Sequence, residues 1–199
     1  MTKVQTVMEI GSGAVGLSGL CVAVQMAYHS RKGSSLFLTD IQQDGLLENL
    51  KQNVLLNQEN LQHLCRLPEI GIKELDWTDL DAAASLPTID LIVGSELIYS
   101  PETATSCSAM LQHLLRINPL MQVVIVQVTD RPGWTDFLAQ FEQMEQMETR
   151  MLQPLFPEWH DEACKLLGGK EALGTMSRLD YGLCWIKNKN KNKIAATGT

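Results

Sequence analysis

Short apolar runs and longer amphipathic stretches take turns along the whole chain, a rhythm that predicts strands alternating with helices. Val4, Val7, Met8 and Ile10 form an apolar strand that runs into Gly11, Gly13 and Gly16, and a helix follows from Leu17 to about Tyr28. Ser35 to Thr39 (S-L-F-L-T) reads as a second strand closing on Asp40. From about Gly45 to Leu56, the residues Leu46, Leu47, Leu50, Val54 and Leu55 recur at helical spacing, so this segment is expected to lie as an amphipathic helix on the sheet. Asn49, Asn53 and Asn57 are read as its surface and C-terminal capping. A polar connection spans Glu59 to Pro68, and a third strand is expected at Ile70 to Leu75.

Ile89 to Val93 is a continuous apolar run, the pattern of a central parallel strand buried on both faces. Pro101 stops any continuation, and a helix is expected from Thr103 to Leu115. Val123 to Val128 (V-V-I-V-Q-V) is the strongest strand signal. Trp134 to Met144 reads as a helix, Thr149 to Gln153 as a weak strand, and Tyr181 to Ile186 as a last strand returning to the sheet. The connection Pro154 to Ser177 is long for a plain loop and leaves room for a helix near Glu162 to Leu167. Lys187 to Lys193 alternates lysine with asparagine and cannot bury a core. The expected organisation is therefore one domain over 1–186 and a disordered basic tail over 187–199. The fold class is α/β, with a Rossmann-like, doubly wound, mostly parallel sheet.

Composition narrows the reading without redirecting it. With 199 residues, 45% of them hydrophobic, the chain can bury one substantial core. A formal net charge of -7 argues against a protein that works by gripping nucleic-acid phosphates, so no stable nucleic-acid binding is expected. Five scattered cysteines without a C-x-x-C pair indicate neither a disulfide framework nor a zinc site. His29, His63, His113 and His160 show no ligand spacing, and no G-x-S-x-G elbow is present, so no metal and no hydrolase site is expected. Neither a signal peptide nor an apolar run of membrane-spanning length is visible. The expectation is a soluble monomer of the cytoplasm, and also of the nucleus.

The candidate chemistry gathers where strands end. The spacing Gly11-x-Gly13-x-x-Gly16 between a strand and a helix suits both a nicotinamide dinucleotide and S-adenosylmethionine. Glu9 breaks the tie, because a carboxylate beside the loop repels a pyrophosphate and attracts a ligand carrying an ammonium and a sulfonium. Asp40, about 24 residues after the last loop glycine, sits where such folds bind ribose hydroxyls, and it also suits a helix N-cap. For Asp76 and Trp77 two readings stand: they flank an adenine, or they are a turn cap and a core-edge aromatic. Gly94 and Ser95 permit close approach of a ligand, and Glu96 and Tyr99 follow on a loop over the site.

The segments E-I-G-S-G-A-V-G-L, T-D, N-V-L-L-N, E-L-D-W and D-L-I-V-G-S-E-L-I-Y-S-P-E together resemble the seven-β-strand (class I) protein methyltransferases of the methyltransferase-like protein-lysine methyltransferase group. The similarity runs from about Val7 to Pro132. The resemblance implies a seven-strand sheet, S-adenosylmethionine as cofactor, and a protein side chain, usually lysine, as substrate. It also implies roles for particular residues. Glu9, Gly11, Gly13, Gly16, Asp40 and Trp77 would hold the cofactor; Glu96 and Tyr99, matching a [D/E]-x-x-Y motif, would stand beside the methyl acceptor. Ser12 in the loop, and Asp76 and Ser95 at strand ends, complete the expected cofactor-binding set on their position alone. The stretch N-P-L-M-Q-V through R-P-G-W-T-D-F-L is similar to a branch that modifies arginine in histones, which keeps that acceptor as an alternative. Members of the group carry a segment with a W-P or W-D pair before the first strand, whereas here the strand is expected within a few residues of Met1. That difference motivates a second alternative, a catalytically inactive binding protein.

Overall fold

The apolar runs pair into a single sheet in the computed structural model, which describes residues 4–29, 33–61, 64, 66–152 and 181–189. Its strands are β1 (Thr6–Ile10), β2 (Ser35–Asp40), β3 (Glu69–Glu74), β4 (Leu91–Ser95), β5 (Gln122–Val128), β6 (Met147–Leu152) and β7 (Tyr181–Asn188), in the order β3-β2-β1-β4-β5-β7-β6. The first five strands pair in parallel, and β7 runs antiparallel between β5 and β6. From β1 the chain builds outward through β2 and β3, then returns to lay β4 and β5 on the other side. This reversal opens a crevice beyond the carboxyl ends of β1 and β4, where open α/β sheets bind ligands.

Two cores follow from strand alternation. Val7, Leu36 and Leu38 pack under helix α1 (Leu17–His29) and helix α2 (Leu46–Asn60), meeting Leu20, Ala23, Met26, Leu50 and Val54. On the opposite face, Met8, Ile10, Ile92, Val123 and Ile125 meet residues of helices α3 (Leu80–Ala84), α4 (Pro101–Ile117) and α5 (Trp134–Glu142), among them Met110, Leu111, Phe137 and Phe141. Because side chains alternate with period two, Glu9 shares the face of Val7 and projects beneath α1.

Several sequence expectations change in detail. Pro101 does not end a segment but begins one: it is the first residue of α4, behind a capping box in which Ser100 and Thr103 exchange side-chain and backbone hydrogen bonds. Asp40 does not cap α2, which starts after Gly45 in a left-handed conformation. Helix α3, capped by Asp79, was not predicted, since five residues carry too little periodicity to be read. Lys187 and Asn188 belong to β7 rather than to a tail, with Lys187 paired to Gln122 and Glu148 in register. Met147 and Met151 lie in β6 and Met144 in the loop before it, and all three pack on the core beneath α4 and α5. The expected helix near 162–167 and the tail from 190 onward lie outside the described residues.

Candidate active site

The glycine loop turns sharply out of β1. A Cβ on Gly11 would stand 2.7 Å from Leu97 Cδ2 and 3.4 Å from Trp77 Cζ2, so only glycine lets the loop lie against both. Beneath the loop Glu9 is 2% exposed, and its Oε1 accepts a hydrogen bond from the Gly19 amide (3.0 Å) in the first turn of α1. Its Oε2 is buried with no partner. Burial pushes the Glu9 carboxyl above the usual glutamate range, against hydrogen bonds from Ser12, Gly19 and Ser18 that pull it down. The loop is also tied from two sides. Asp40 Oδ2 accepts from the Gly13 amide at 2.7 Å, and Asn53 on α2 donates its Nδ2 hydrogen to the Ala14 carbonyl at 3.0 Å. The asparagine row thus does more than cover a helix surface.

After β3, Asp76 Oδ1 accepts from the backbone and side chain of Thr78 (2.8 and 2.7 Å), and these bonds hold its carboxyl below the usual aspartate range. Trp77 is half-buried against the α4 core and also faces the crevice. The turn-cap and core-edge reading of this pair matches these contacts, and both side chains also line the crevice.

Beyond β4 the loop from Glu96 to Tyr99 is fastened to the end of β5. Glu96 takes a left-handed backbone conformation (φ 54°), which costs a non-glycine residue about 1–2 kcal/mol. Its amide donates to the Val126 carbonyl at 2.9 Å and its Oε1 accepts from the Val128 amide at 2.7 Å. The buried side chain of Gln127 completes the clasp, its Oε1 accepting from the Ile98 amide (3.0 Å) and its Nε2 donating to the Ile98 carbonyl (2.9 Å). Arg131 Nη2 lies 3.3 Å from Glu96 Oε2. Neither Gln127 nor Arg131 was singled out from the sequence. A lone glutamine inside the apolar run V-V-I-V-Q-V was the available signal for the first.

These elements enclose a cavity of about 220 Å³ lined by Gly11, Asp40, Ile41, Leu75, Asp76, Trp77, Glu96, Leu97, Tyr99, Thr103 and Ser106. Six expected site residues meet there: Gly11, Asp40, Asp76, Trp77, Glu96 and Tyr99. Glu9, Ser12, Gly13, Gly16 and Ser95 stand behind or beside the wall rather than on it. The wall carries three carboxylates and, among the described residues, no basic side chain. Among the described residues no group of three or more His, Cys, Asp or Glu is placed to hold a metal ion, and no helix is long and apolar enough to cross a membrane.

A cationic, adenosine-bearing ligand suits this chemistry. Three acids face it, an indole offers a stacking surface, and the Glu9 oxygen without a partner lies just under the loop. The parallel sheet with its one antiparallel strand, β7, and the crevice over β1 and β4 define a class I methyltransferase fold. Solved structures agree: an rRNA methylase from Streptococcus thermophilus superposes with a TM-score of 0.55 at 13% identity, covering 93% of this chain and 87% of that one. A lysine methyltransferase family profile matches residues 1–146, and the chain belongs to that family. Over 99 residues it is 31% identical to the protein-lysine N-methyltransferase EFM6 of Saccharomyces cerevisiae, covering 48% of this chain and 38% of that protein. Over 116 residues it is 28% identical to FAM86B2 of Homo sapiens, provisionally named a protein N-methyltransferase, covering 55% of this chain and 33% of that protein. The match thus spans 33% to 38% of the length of these curated relatives. S-adenosylmethionine is the methyl donor of class I methyltransferases, and the residues present fit it.

Proposed function

We propose that this chain carries the active site of an S-adenosylmethionine-dependent protein methyltransferase whose acceptor is a lysine amine. The observation that carries the reading is the meeting, in one cavity, of the donor-side group Gly11, Asp40, Asp76 and Trp77 with the acceptor-side pair Glu96 and Tyr99. The donor, when bound, would supply an electrophilic sulfonium methyl group, which a neutral acceptor nitrogen takes in line as the carbon–sulfur bond breaks and the thioether leaves. Asp40 is the residue for the ribose hydroxyls and Trp77 for the adenine face. Glu9, through its unpartnered oxygen, adds negative charge beneath the sulfonium and ammonium end.

On the acceptor side, Glu96 holds the nitrogen by a hydrogen bond and Tyr99, exposed at the mouth, shapes the entry. The amine arrives on Glu96 as an ammonium and releases its proton to water before attack; catalysis then comes mainly from holding the neutral nitrogen in line and from the desolvation that favours its uncharged form. Glu96 favours lysine over arginine on its own geometry. One carboxylate oxygen is committed to the Val128 amide and the other is held only by a half-exposed pair with Arg131, so the group can offer a single oxygen to the acceptor, which suits an ammonium better than the two-pronged guanidinium. Labelled donor incubated with the protein and a cell extract, followed by mass-spectrometric mapping, tests the reading. Label on a lysine supports it, and label on arginine or on no protein overturns it. Glu96→Ala is expected to keep donor affinity while losing about 100-fold or more in transfer; unchanged transfer would remove Glu96 from its role.

A further inference from the structure

Arg131 sits in the turn between β5 and α5, with its backbone held at both ends: its amide donates to the Val128 carbonyl (3.4 Å) and its carbonyl accepts from the Trp134 amide (3.2 Å). Its guanidinium pairs with Oε2 of Glu96, a residue of the cavity wall. The other oxygen of Glu96 is occupied by the Val128 amide at 2.7 Å. Oε2 is therefore the oxygen that can change partners, and in the absence of an acceptor its partner is Arg131. The pair is monodentate, 3.3 Å long and substantially open to water, with side-chain exposures of 49% and 33%. Pairs of this kind contribute about 0–1 kcal/mol, so a second cation displaces the first at small cost.

We propose that Arg131 is a specificity-determining residue that occupies the acceptor position on Glu96 and yields it by ion exchange. The inference rests on the acceptor role given to Glu96 above. No covalent step is involved: one cation leaves Oε2 for solvent and another takes its place. Three properties follow from the geometry. The resident guanidinium keeps the Glu96 side chain oriented between turnovers. An incoming group must offer a cationic donor to compete, so hydroxyl and thiol side chains are rejected. The displaced guanidinium remains tethered within a turn's length and re-forms the pair when product leaves.

The test uses the full chain, isotopically labelled, and n-butylammonium as a lysine side-chain probe, with the Val128 amide resonance as reporter because it is bonded to the same carboxylate. Arg131→Gln is expected to bind the probe about two- to fivefold more tightly than the wild type, the range a half-exposed ion pair commands. Arg131→Met, which keeps the apolar stem, should do the same and guards against a variant that folds poorly. Glu96→Gln should lose the response. In the transfer assay, Arg131→Gln should lower the acceptor KM with kcat little changed, a split that a purely structural role would not produce. Equal probe affinity in wild type and both Arg131 variants overturns the exchange while leaving Glu96 as an acceptor site. An undiminished response in Glu96→Gln overturns the acceptor assignment and the exchange with it.

Discussion

Gly13 and Gly16 share a left-handed backbone, with φ of +62° and +65°, but not their surroundings. A Cβ at Gly16 would meet Leu50 Cδ1 at 2.5 Å and Leu38 Cδ1 at 3.3 Å, whereas at Gly13 nothing lies within 4 Å. Gly16→Ala is therefore expected to lose about 1–2 kcal/mol to backbone strain and a further ~1–3 to overpacking in urea unfolding. Gly13→Ala should lose the strain alone; with Gly13 in the proposed donor loop, its added Cβ is also expected to lower donor affinity about tenfold or more by calorimetry. Glu9 carries a conflict of a different kind. Its pKa is raised by burial, so between the ordinary glutamate value and the raised one the folded protein keeps a proton that the unfolded chain has released. Stability falls as pH rises through that window and stays reduced above it. Glu9→Gln should accordingly melt higher than the wild type at neutral pH without donor, lose that advantage at pH below the ordinary glutamate range, and bind donor more weakly. The sequence made Asp40, Trp77 and Glu96 legible because each stands at or just past the carboxyl end of a strand. The direction in which Glu9 points was fixed by its sharing a strand face with Val7, which matters more than its nearness to the loop.

Among the elements, the end of β5 does the most to shape the acceptor side, although the sequence marks it only as a buried strand. Val126, Gln127 and Val128 together hold Glu96 and Ile98 through four hydrogen bonds. Gln127→Met keeps the volume but leaves the Ile98 amide and carbonyl without partners, and buried orphans of that kind cost about 1–3 kcal/mol each. The variant should show faster hydrogen exchange at Ile98 and reduced transfer with donor affinity retained; protection equal to that of the wild type would count against the clasp. Ser100→Ala, which removes the α4 cap, should lose about 1 kcal/mol in the same unfolding assay. Central strands were readable because burial on both faces demands unbroken apolar runs. β7 was readable only as far as Ile186, because Lys187 earns its place in the sheet by charge, lying 3.2 Å from Glu148 and over the Trp185 ring. Composition alone makes such a residue look like tail.

At the scale of the whole molecule, the proposed donor side and the proposed acceptor side belong to opposite halves of the sheet. Gly11, Asp40 and Trp77 come from β1 to β3, while the Glu96 loop depends on β5, whose outer neighbour is β7. The last strands thus support the acceptor side without contributing a residue to the cavity wall. A chain cut after residue 180 leaves β5 as a bare, apolar edge, the kind of edge that recruits other chains. It should unfold with poor cooperativity and aggregate in light scattering; a monomeric fragment with full donor affinity would contradict this account. During synthesis the same dependence becomes a delay. Roughly fifty residues separate Val128 from Tyr181, so a ribosome adding ~5–20 residues each second leaves the growing polypeptide with an unguarded border for several seconds. Over that interval, chaperone capture is what stands between the newborn protein and self-association.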